Sequence, residues 1–339
     1  MNRLQKYIIS NLSILFLSLF LPLFSIASVI FLIKLATYTA VIQLSLWEMA
    51  KLYFFVLPEI LFYTLPLTFF IAASLTLFRL STDNEIVVLF ALGIRPKFII
   101  KTLAKPALLL GALLAFDFLV LFPHATVLSS NFITYKKNEA KFNLSASEFG
   151  HSFGNWLLYI GENNSDGSYK DVFLFNKDKN EEILISAKKG EIINDSGVLR
   201  LQLSDGEGYG YSKKKFTQID FELMNINDTL NTDLTKYKTP LEYWTSDDRR
   251  ESKKQMLITD TLLSLFPIIS LFAIASIGIV HVRHQKARVY LYLFIGIVIY
   301  YGAALGLQAV LGYFTIPLVT FVWLGATYAI YKKTIVARF

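Results

Sequence analysis

Four ionisable side chains stand inside or at the ends of long apolar stretches of this sequence: Lys34, Glu59, Asp117 and Asp260. A charge left unpaired in hydrocarbon costs several kcal/mol, so each of these residues is a candidate for a functional role. The ammonium of Lys34 can either anchor the chain among lipid headgroups or bind the phosphate or sugar acid of a lipid. Glu59 and Asp260 fall at a similar depth. The sequence therefore predicts ion pairing among Lys34, Glu59 and Asp260, with a structural role favoured over substrate chemistry.

The segment between the second and third apolar stretches gives the sharpest local pattern. Thr82 and Glu85 have the Thr-x-x-Glu spacing of a capping box, and Asp83 adds a second acid to the first turn, where the helix dipole favours it. Gly93 stands where a helix would end in the left-handed conformation. The pattern predicts a short helix over residues 82–92.

This short helix also carries the apolar residues Ile86, Leu89, Phe90 and Leu92. A helix of this kind can rest on lipid headgroups, but an acidic start suits an anionic membrane surface poorly. A helix that docks into a groove on a soluble partner explains both the acids and the apolar face. We therefore favour partner docking over an interfacial helix.

Residues for catalysis are not grouped in any recognisable way. His151 stands alone, the carboxylates are unpaired, and the sequence has no Walker A motif. The glycine-rich run Gly206–Gly210 has no helix after it to bind phosphate, so it predicts a bend or bulge. The chain has no cysteine, which excludes disulfides and thiolate metal sites. The sequence thus predicts no enzymatic activity, metal site or cofactor.

Six long apolar stretches must position these residues, three on each side of a polar segment. They run from Leu12 to Ile33, Leu52 to Phe78, Pro106 to Phe122, Met256 to Val280, Val289 to Gly312 and Tyr313 to Tyr331. Roughly 20 helical residues cross a hydrocarbon core that is about 30 Å thick. The first stretch is too long for the apolar region of a signal peptide. The predicted fold is an α-helical membrane protein with six transmembrane helices and an inserted all-β domain.

The inserted domain occupies residues 123–255, between helices 1–3 in residues 1–122 and helices 4–6 in residues 256–339. Val198–Leu203 and Thr217–Leu223 alternate apolar and polar residues, as in a sheet with one solvated face. Turn-forming residues follow one another in the segments Asn163–Ser168 and Asn194–Gly197. The spacing of the strands predicts an antiparallel sandwich, barrel or jelly roll.

Lys and Arg are concentrated in alternate connections between the apolar stretches. One side carries Arg3, Lys6, Arg79, Arg95, Lys97, Lys101, Lys105, Arg283, Lys286, Arg288, Lys332, Lys333 and Arg338. The short connection on the other side carries Lys34 and Lys51 alone. The positive-inside bias places both termini in the cytoplasm and the β domain outside it. The net charge of +7 therefore belongs to the cytoplasmic lipid surface and does not indicate nucleic-acid binding.

The six spans, the β domain after the third and the acidic segment together resemble the lipopolysaccharide export permeases of the LptF/LptG type. The matching patches are Asp83–Ile86 with Gly93–Ile94, Leu57–Ile60 with Leu65–Leu67, and Gly167–Leu174. They are closer to the LptF side of the pair. The architectural resemblance covers the whole chain, while identity at the level of motifs is confined to these patches.

The resemblance implies a permease subunit that extracts lipopolysaccharide or lipooligosaccharide from the bacterial inner membrane and passes it to a periplasmic bridge of β domains. It implies four partners: a homologous permease, a dimeric cytoplasmic ATPase that binds the ATP, a jelly-roll bridge protein and the lipid. The residues implied in coupling to the ATPase are Asp83, Glu85, Phe90, Gly93 and Arg95. Lys34 matches a basic lipid-contacting position, whereas Phe31 stands where a second basic residue can occur.

Three other classes of protein remain as alternatives. An ABC-type permease for another lipid or for lipoproteins usually has four spans with its large domain after the first. A membrane-bound enzyme would need a polar cluster in the outer domain. A secondary transporter would show broken spans, midplane charges and inverted repeats. The three-plus-three arrangement disfavours the first, the lack of a recognisable polar cluster disfavours the second, and the charges at the outer ends of the spans disfavour the third.

Overall fold

The computed structural model describes residues 3–39, 44–141, 151–153, 156–164, 168–177, 181–195, 198–212, 215–227, 239–247, 250–280 and 288–337. These residues divide into a helical unit and a unit that contains the β-sheet. The helical unit takes in Met1–Ala36, Leu46–Ser129 and Tyr237–Phe339. The predicted domain boundaries at 122/123 and 255/256 therefore fall inside it. The short helix that follows the sheet belongs to the helical unit because it packs on the end of the third apolar stretch.

The helices follow the apolar stretches closely. Their bounds are α1 (Arg3–Thr39), α2 (Leu46–Thr82), α3 (Glu85–Ala91), α4 (Pro96–Phe116), α5 (Phe122–Lys141), α6 (Pro240–Thr245), α7 (Arg250–Ile269), α8 (Leu271–Gly278), α9 (Arg288–Leu311) and α10 (Thr315–Tyr331). A π-helical turn, Asp117–Leu121, joins α4 to α5, and a 3-10 turn, Gly312–Phe314, joins α9 to α10.

Four helical segments in the described part of the chain are long and apolar enough to cross a membrane, or five if α7 and α8 form one bent span. The α7–α8 pair bends by 48°. Pro267 explains the bend, because its ring removes one helical hydrogen bond and clashes with the preceding turn. The indole of Trp323 on α10 donates to the Ser270 hydroxyl at the bend, over 3.0 Å.

The apolar segment Arg288–Val336 is 49 residues long and folds as a hairpin. Thr315 donates to the carbonyl of Leu307 over 3.1 Å, and Trp323 packs on Tyr300 with ring centres 5.2 Å apart. As the residue number rises from Thr315 to Trp323, the number of the partner on α9 falls from Leu307 to Tyr300. Helices α9 and α10 are therefore antiparallel. The segment therefore holds the fifth and sixth predicted helices, while their crossing of a membrane remains a prediction.

The helices differ in how much of their surface the protein covers. In the most apolar 18-residue stretch of α2, 61% of the residues are buried, whereas in that of α1 only 6% are buried. A large core cluster joins α2, α4, α7 and α8, with Phe70, Leu103 and Phe266 fully buried in it. Helix α1 is therefore a peripheral helix, anchored mainly by Ile8 and Leu12.

The described strands form one antiparallel sheet in the order in which they occur in the chain. They are β1 (His151–Phe153), β2 (Trp156–Asn163), β3 (Tyr169–Lys177), β4 (Glu181–Asp195), β5 (Val198–Ser212) and β6 (Lys215–Asn227). Both predicted chain reversals are observed, although residues 165–167 and 196–197 within them lie outside the described residues. Sequential pairing is the topology of a meander. The jelly roll stays a prediction.

One row of residues crosses the described sheet from β2 to β6 without Cα partners, while the strands pair on both sides of it. The row contains Gly161, Asp171, Lys188, Asp205 and Glu222. We call this row the crease.

The backbone changes its alternation at the crease. Asp171 and Asp205 have φ angles of 50° and 52°, in the left-handed region. Two successive side chains point outward there, for example Lys188 and Lys189 between the buried Ala187 and Gly190. The alternation is thus shifted by one residue, which keeps the buried positions on one face of the sheet on both sides of the crease. The glycine-rich run lies inside β5 directly after Asp205, and the bend or bulge predicted there stays a prediction.

Candidate functional site

Helix α3 begins at Glu85, later than the predicted residue 82. The predicted capping box is wrong, because α2 continues through Thr82 and the Thr82 hydroxyl donates to the carbonyl of Arg79 over 2.8 Å. Asn84 precedes α3 with φ 61° and gives it no side-chain cap. Helices α2 and α3 are therefore joined by a tight turn, which fixes the direction in which α3 leaves α2.

Gly93 follows the C-cap of α3, as predicted from the sequence. Its φ is +83°, which favours glycine because any Cβ is strained there. The amide of Gly93 donates to Phe90 over 2.9 Å, and the amide of Ile94 donates to Leu89 over 3.1 Å. This pair of bonds is a Schellman motif, which satisfies the last carbonyls of the helix. Helix α3 thus has a sharply defined end before Pro96 starts α4.

The apolar residues of α3 divide between two faces. Ile86 is fully buried in the helical core and Phe90 packs against it. Val88 and Leu92 point outward, 55% and 74% exposed. The helix is thus fixed to the protein on one side and presents apolar surface on the other.

The acidic residues at the start of α3 have different partners. Asp83 lies 3.9 Å from Arg79 in an exposed pair, which contributes little to stability. The hydroxyl of Tyr7, on α1, donates to the carboxylate of Glu85, with oxygen distances of 2.9 and 2.8 Å. Sequence reasoning missed Tyr7, because nothing in a single sequence joins two positions this far apart. Arg95 is exposed as the residue that precedes α4.

A groove of about 310 Å³ runs along this region between the start of α1 and α3. Its walls include Leu4 and Tyr7 from α1, and Asp83, Glu85 and Val88 from the other side. Negative charge and apolar surface lie next to each other in it. Such a groove suits a partner surface that combines a basic side chain with apolar ones.

The intramembrane charges are arranged differently from the prediction. Asp260 on α7 is 3% exposed and Asp117 in the π-helical turn is 4% exposed. The charges that act on Asp260 are those of Glu59 and Asp117, which are both acidic. Glu59 and Asp260 form no ion pair with any residue that the structure describes. Glu59 is thus near Asp260 as a second acid and not as an ion-pair partner, and Lys34 is an exposed residue of α1.

The π-helical turn that carries Asp117 is held by α6. The indole of Trp244 donates to the carbonyl of Leu119 over 3.2 Å and packs on Phe118 with ring centres 6.4 Å apart. Phe118 in turn packs on Phe62 of α2. Helix α6 therefore fixes the third apolar stretch to the second near Asp117. No group of three or more possible metal ligands occurs among the described residues.

A family model described as the lipopolysaccharide export system permease LptF/LptG matches residues 6–330. The match covers nearly the whole chain and includes both units. The chain belongs to the LptF/LptG family. A comparison with curated proteins found no match.

Membership of the LptF/LptG family makes this chain a component of a transporter and not a catalytic enzyme. The apolar helices fit a multi-pass membrane protein of that family. The matched residues include α3 and Glu85.

Proposed function

We propose that this chain is the permease subunit of an ABC transporter, closer to LptF than to LptG, that extracts lipopolysaccharide or lipooligosaccharide from the bacterial inner membrane. The family match supports the transport of this lipid. The observation that carries the coupling role is α3, a short helix held firmly on one side that presents Glu85, Val88 and Leu92 on the other.

Six membrane crossings account for the architecture under this proposal. The bent α7–α8 pair forms the fourth, and the α9–α10 hairpin forms the fifth and sixth. The distribution of basic residues supports cytoplasmic termini, a cytoplasmic α3 and a periplasmic β domain. On this topology α3 lies on the side where ATP is available.

Energy for export comes from a separate ATPase. A homologous permease supplies the other half of the cavity, and each permease docks one copy of the ATPase through its own coupling helix. Binding of ATP brings the two coupling helices together, narrows the cavity and pushes the lipid outward. In this chain Asp83, Glu85, Phe90, Gly93 and Arg95 form or shape the coupling contact. No cofactor is required in the permease itself.

Lys34 and the β domain serve the lipid. Lys34 is an exposed residue of α1, and a Lys binds the phosphate of a lipid headgroup as a point charge. The β domain covers its apolar residues, among them Leu158, Val172 and Leu201, on one face of the sheet. An apolar face of this kind shelters acyl chains that cannot cross water alone, and it continues into the periplasmic bridge protein.

Co-purification tests the coupling role directly. The chain is co-expressed with the ATPase and the sister permease, as wild type and as Glu85→Arg. We expect wild type to retain the ATPase and Glu85→Arg to lose it, because a positive charge replaces the carboxylate in the groove. Glu191→Arg is the matched control, since Glu191 is an exposed residue of β4. Failure of wild type to retain any ATPase would contradict the proposal.

A further inference from the structure

The contact between Tyr7 and Glu85 links two elements that are otherwise separate along the chain. Tyr7 lies in the second turn of α1 and is 44% exposed, and its hydroxyl reaches both carboxylate oxygens of Glu85. The neighbouring Asp83 is paired with Arg79 instead. Glu85 is therefore held by α1 as well as by its own helix.

Helix α1 can hold Glu85 because its cytoplasmic end is well anchored. Ile8 and Leu12, which follow Tyr7, are buried in the core of the helical unit, 1% and 4% exposed. Farther along, the hydroxyl of Ser28 lies 2.8 Å from that of Tyr53 on α2. Tyr7 is thus a side chain on a fixed backbone that reaches into the groove beside α3.

A glutamate has three side-chain torsions and loses much of its freedom when a partner binds it. A hydrogen bond that already holds the carboxylate removes part of this cost before binding, which is the general effect of preorganisation. The bond also uses only part of the acceptor capacity of the carboxylate, so a cationic partner can still bind it.

Building on the proposed function, we propose that Tyr7 is a positioning residue for the ATPase contact. Its hydroxyl holds the carboxylate of Glu85 in the orientation in which a basic side chain of the ATPase binds it. The docking surface is therefore composite, made by α3 together with the first two turns of α1. Loss of the hydroxyl weakens ATPase binding by about 2- to 10-fold, the range expected for immobilising one long side chain.

A double-mutant cycle tests this role in the complete complex with the sister permease. The apparent dissociation constant of the ATPase is measured for wild type, Tyr7→Phe, Glu85→Ala and the double variant. We expect Tyr7→Phe to weaken binding in the wild-type background and to have no further effect when Glu85 is absent. Val88 and Leu92 are exposed on the same helix, and we expect them to keep binding measurable in Glu85→Ala.

Two controls separate positioning from a general effect of losing a hydroxyl. Tyr290→Phe removes an exposed phenol from α9, and Ser13→Ala removes a hydroxyl that donates to the carbonyl of Ile9 in α1. Both are expected to bind the ATPase as wild type does. Equal weakening by Tyr7→Phe with and without Glu85, or no weakening at all, overturns the role of Tyr7 while the coupling role of α3 stands. If wild type binds no ATPase, the proposed function fails as well.

Discussion

Glu85 lies where two requirements of a coupling contact meet. Its carboxylate is accessible in the groove, and its backbone is fixed because Ile86 beside it is buried in the core. A charge that transmits force has to sit on a rigid element, since a mobile loop would absorb the motion. Gly93 contributes to the same rigidity from the other end of α3.

Gly93→Ala tests how far the coupling contact depends on the end of α3. Nothing lies within 4 Å of a Cβ built at Gly93, so the expected effect comes from the φ of +83° alone. A left-handed conformation costs an alanine about 1–2 kcal/mol, which favours fraying of the last turn. We expect weaker retention of the ATPase by Gly93→Ala in the co-purification assay.

Gly302→Ala is the matched control for that substitution. A Cβ at Gly302 also meets nothing within 4 Å, but the residue lies inside α9 with an ordinary helical backbone. It should retain the ATPase as wild type does. Equal retention by both alanine variants would show that the Schellman motif has no part in coupling.

At the scale of elements, the end of α3 was predictable and its start was not. Gly93 indicates the end of a helix because glycine itself favours the left-handed conformation that ends one. The capping signal at Thr82 and Glu85 is equally local, but α2 continues through Thr82, and tertiary packing decides where one helix ends and the next begins. Tyr7 gives no local signal at all, because its contact with Glu85 exists only after folding.

The crease shows a similar limit for the sheet. The period-two pattern within β5 and β6 predicted strands, and these are observed. The row becomes visible only in the register of neighbouring strands, which pairs the residues on both sides of Lys188, Asp205 and Glu222 but not these residues themselves. A single strand read alone cannot distinguish such a row from a bulge.

Gly206→Ala tests whether the crease is needed for the stability of the β domain. A Cβ at Gly206 would lie 2.4 Å from the ring of Phe221 and 2.4 Å from the carbonyl of Ser186. We expect a destabilisation of about 1–3 kcal/mol, as for other overpacked sites. Thermal unfolding and limited proteolysis of the full-length protein measure it.

Gly208→Ala, in the same strand, serves as the comparison. The nearest atom to a Cβ there, the carbonyl of Ile219, is 3.8 Å away, an ordinary contact. This variant should unfold at the temperature of the wild type. Similar stability of the two alanine variants would mean that the strands at the crease can move apart without cost.

At the scale of the whole molecule, the chain combines a helical unit, whose α3 we propose as the docking helix, with a sheet that buries apolar residues on one face. The six apolar stretches and the inserted β domain were predictable because hydropathy and strand alternation are strong, long-range patterns. The bend between α7 and α8 follows from Pro267, and the acidic surroundings of Asp260 follow from the packing that brings Glu59 and Asp117 near it. Membership of the LptF/LptG family connects these parts to lipid export.

Transfer of lipid by the reconstituted complex tests the central claim most directly. The chain, its sister permease and the ATPase are placed in liposomes that contain lipopolysaccharide and phospholipid, with a soluble β bridge domain outside. We predict that ATP drives lipopolysaccharide onto the bridge domain, that phospholipid stays behind, and that Glu85→Arg abolishes the transfer. A complex that assembles and hydrolyses ATP but moves no lipopolysaccharide, or moves phospholipid equally well, would contradict the account.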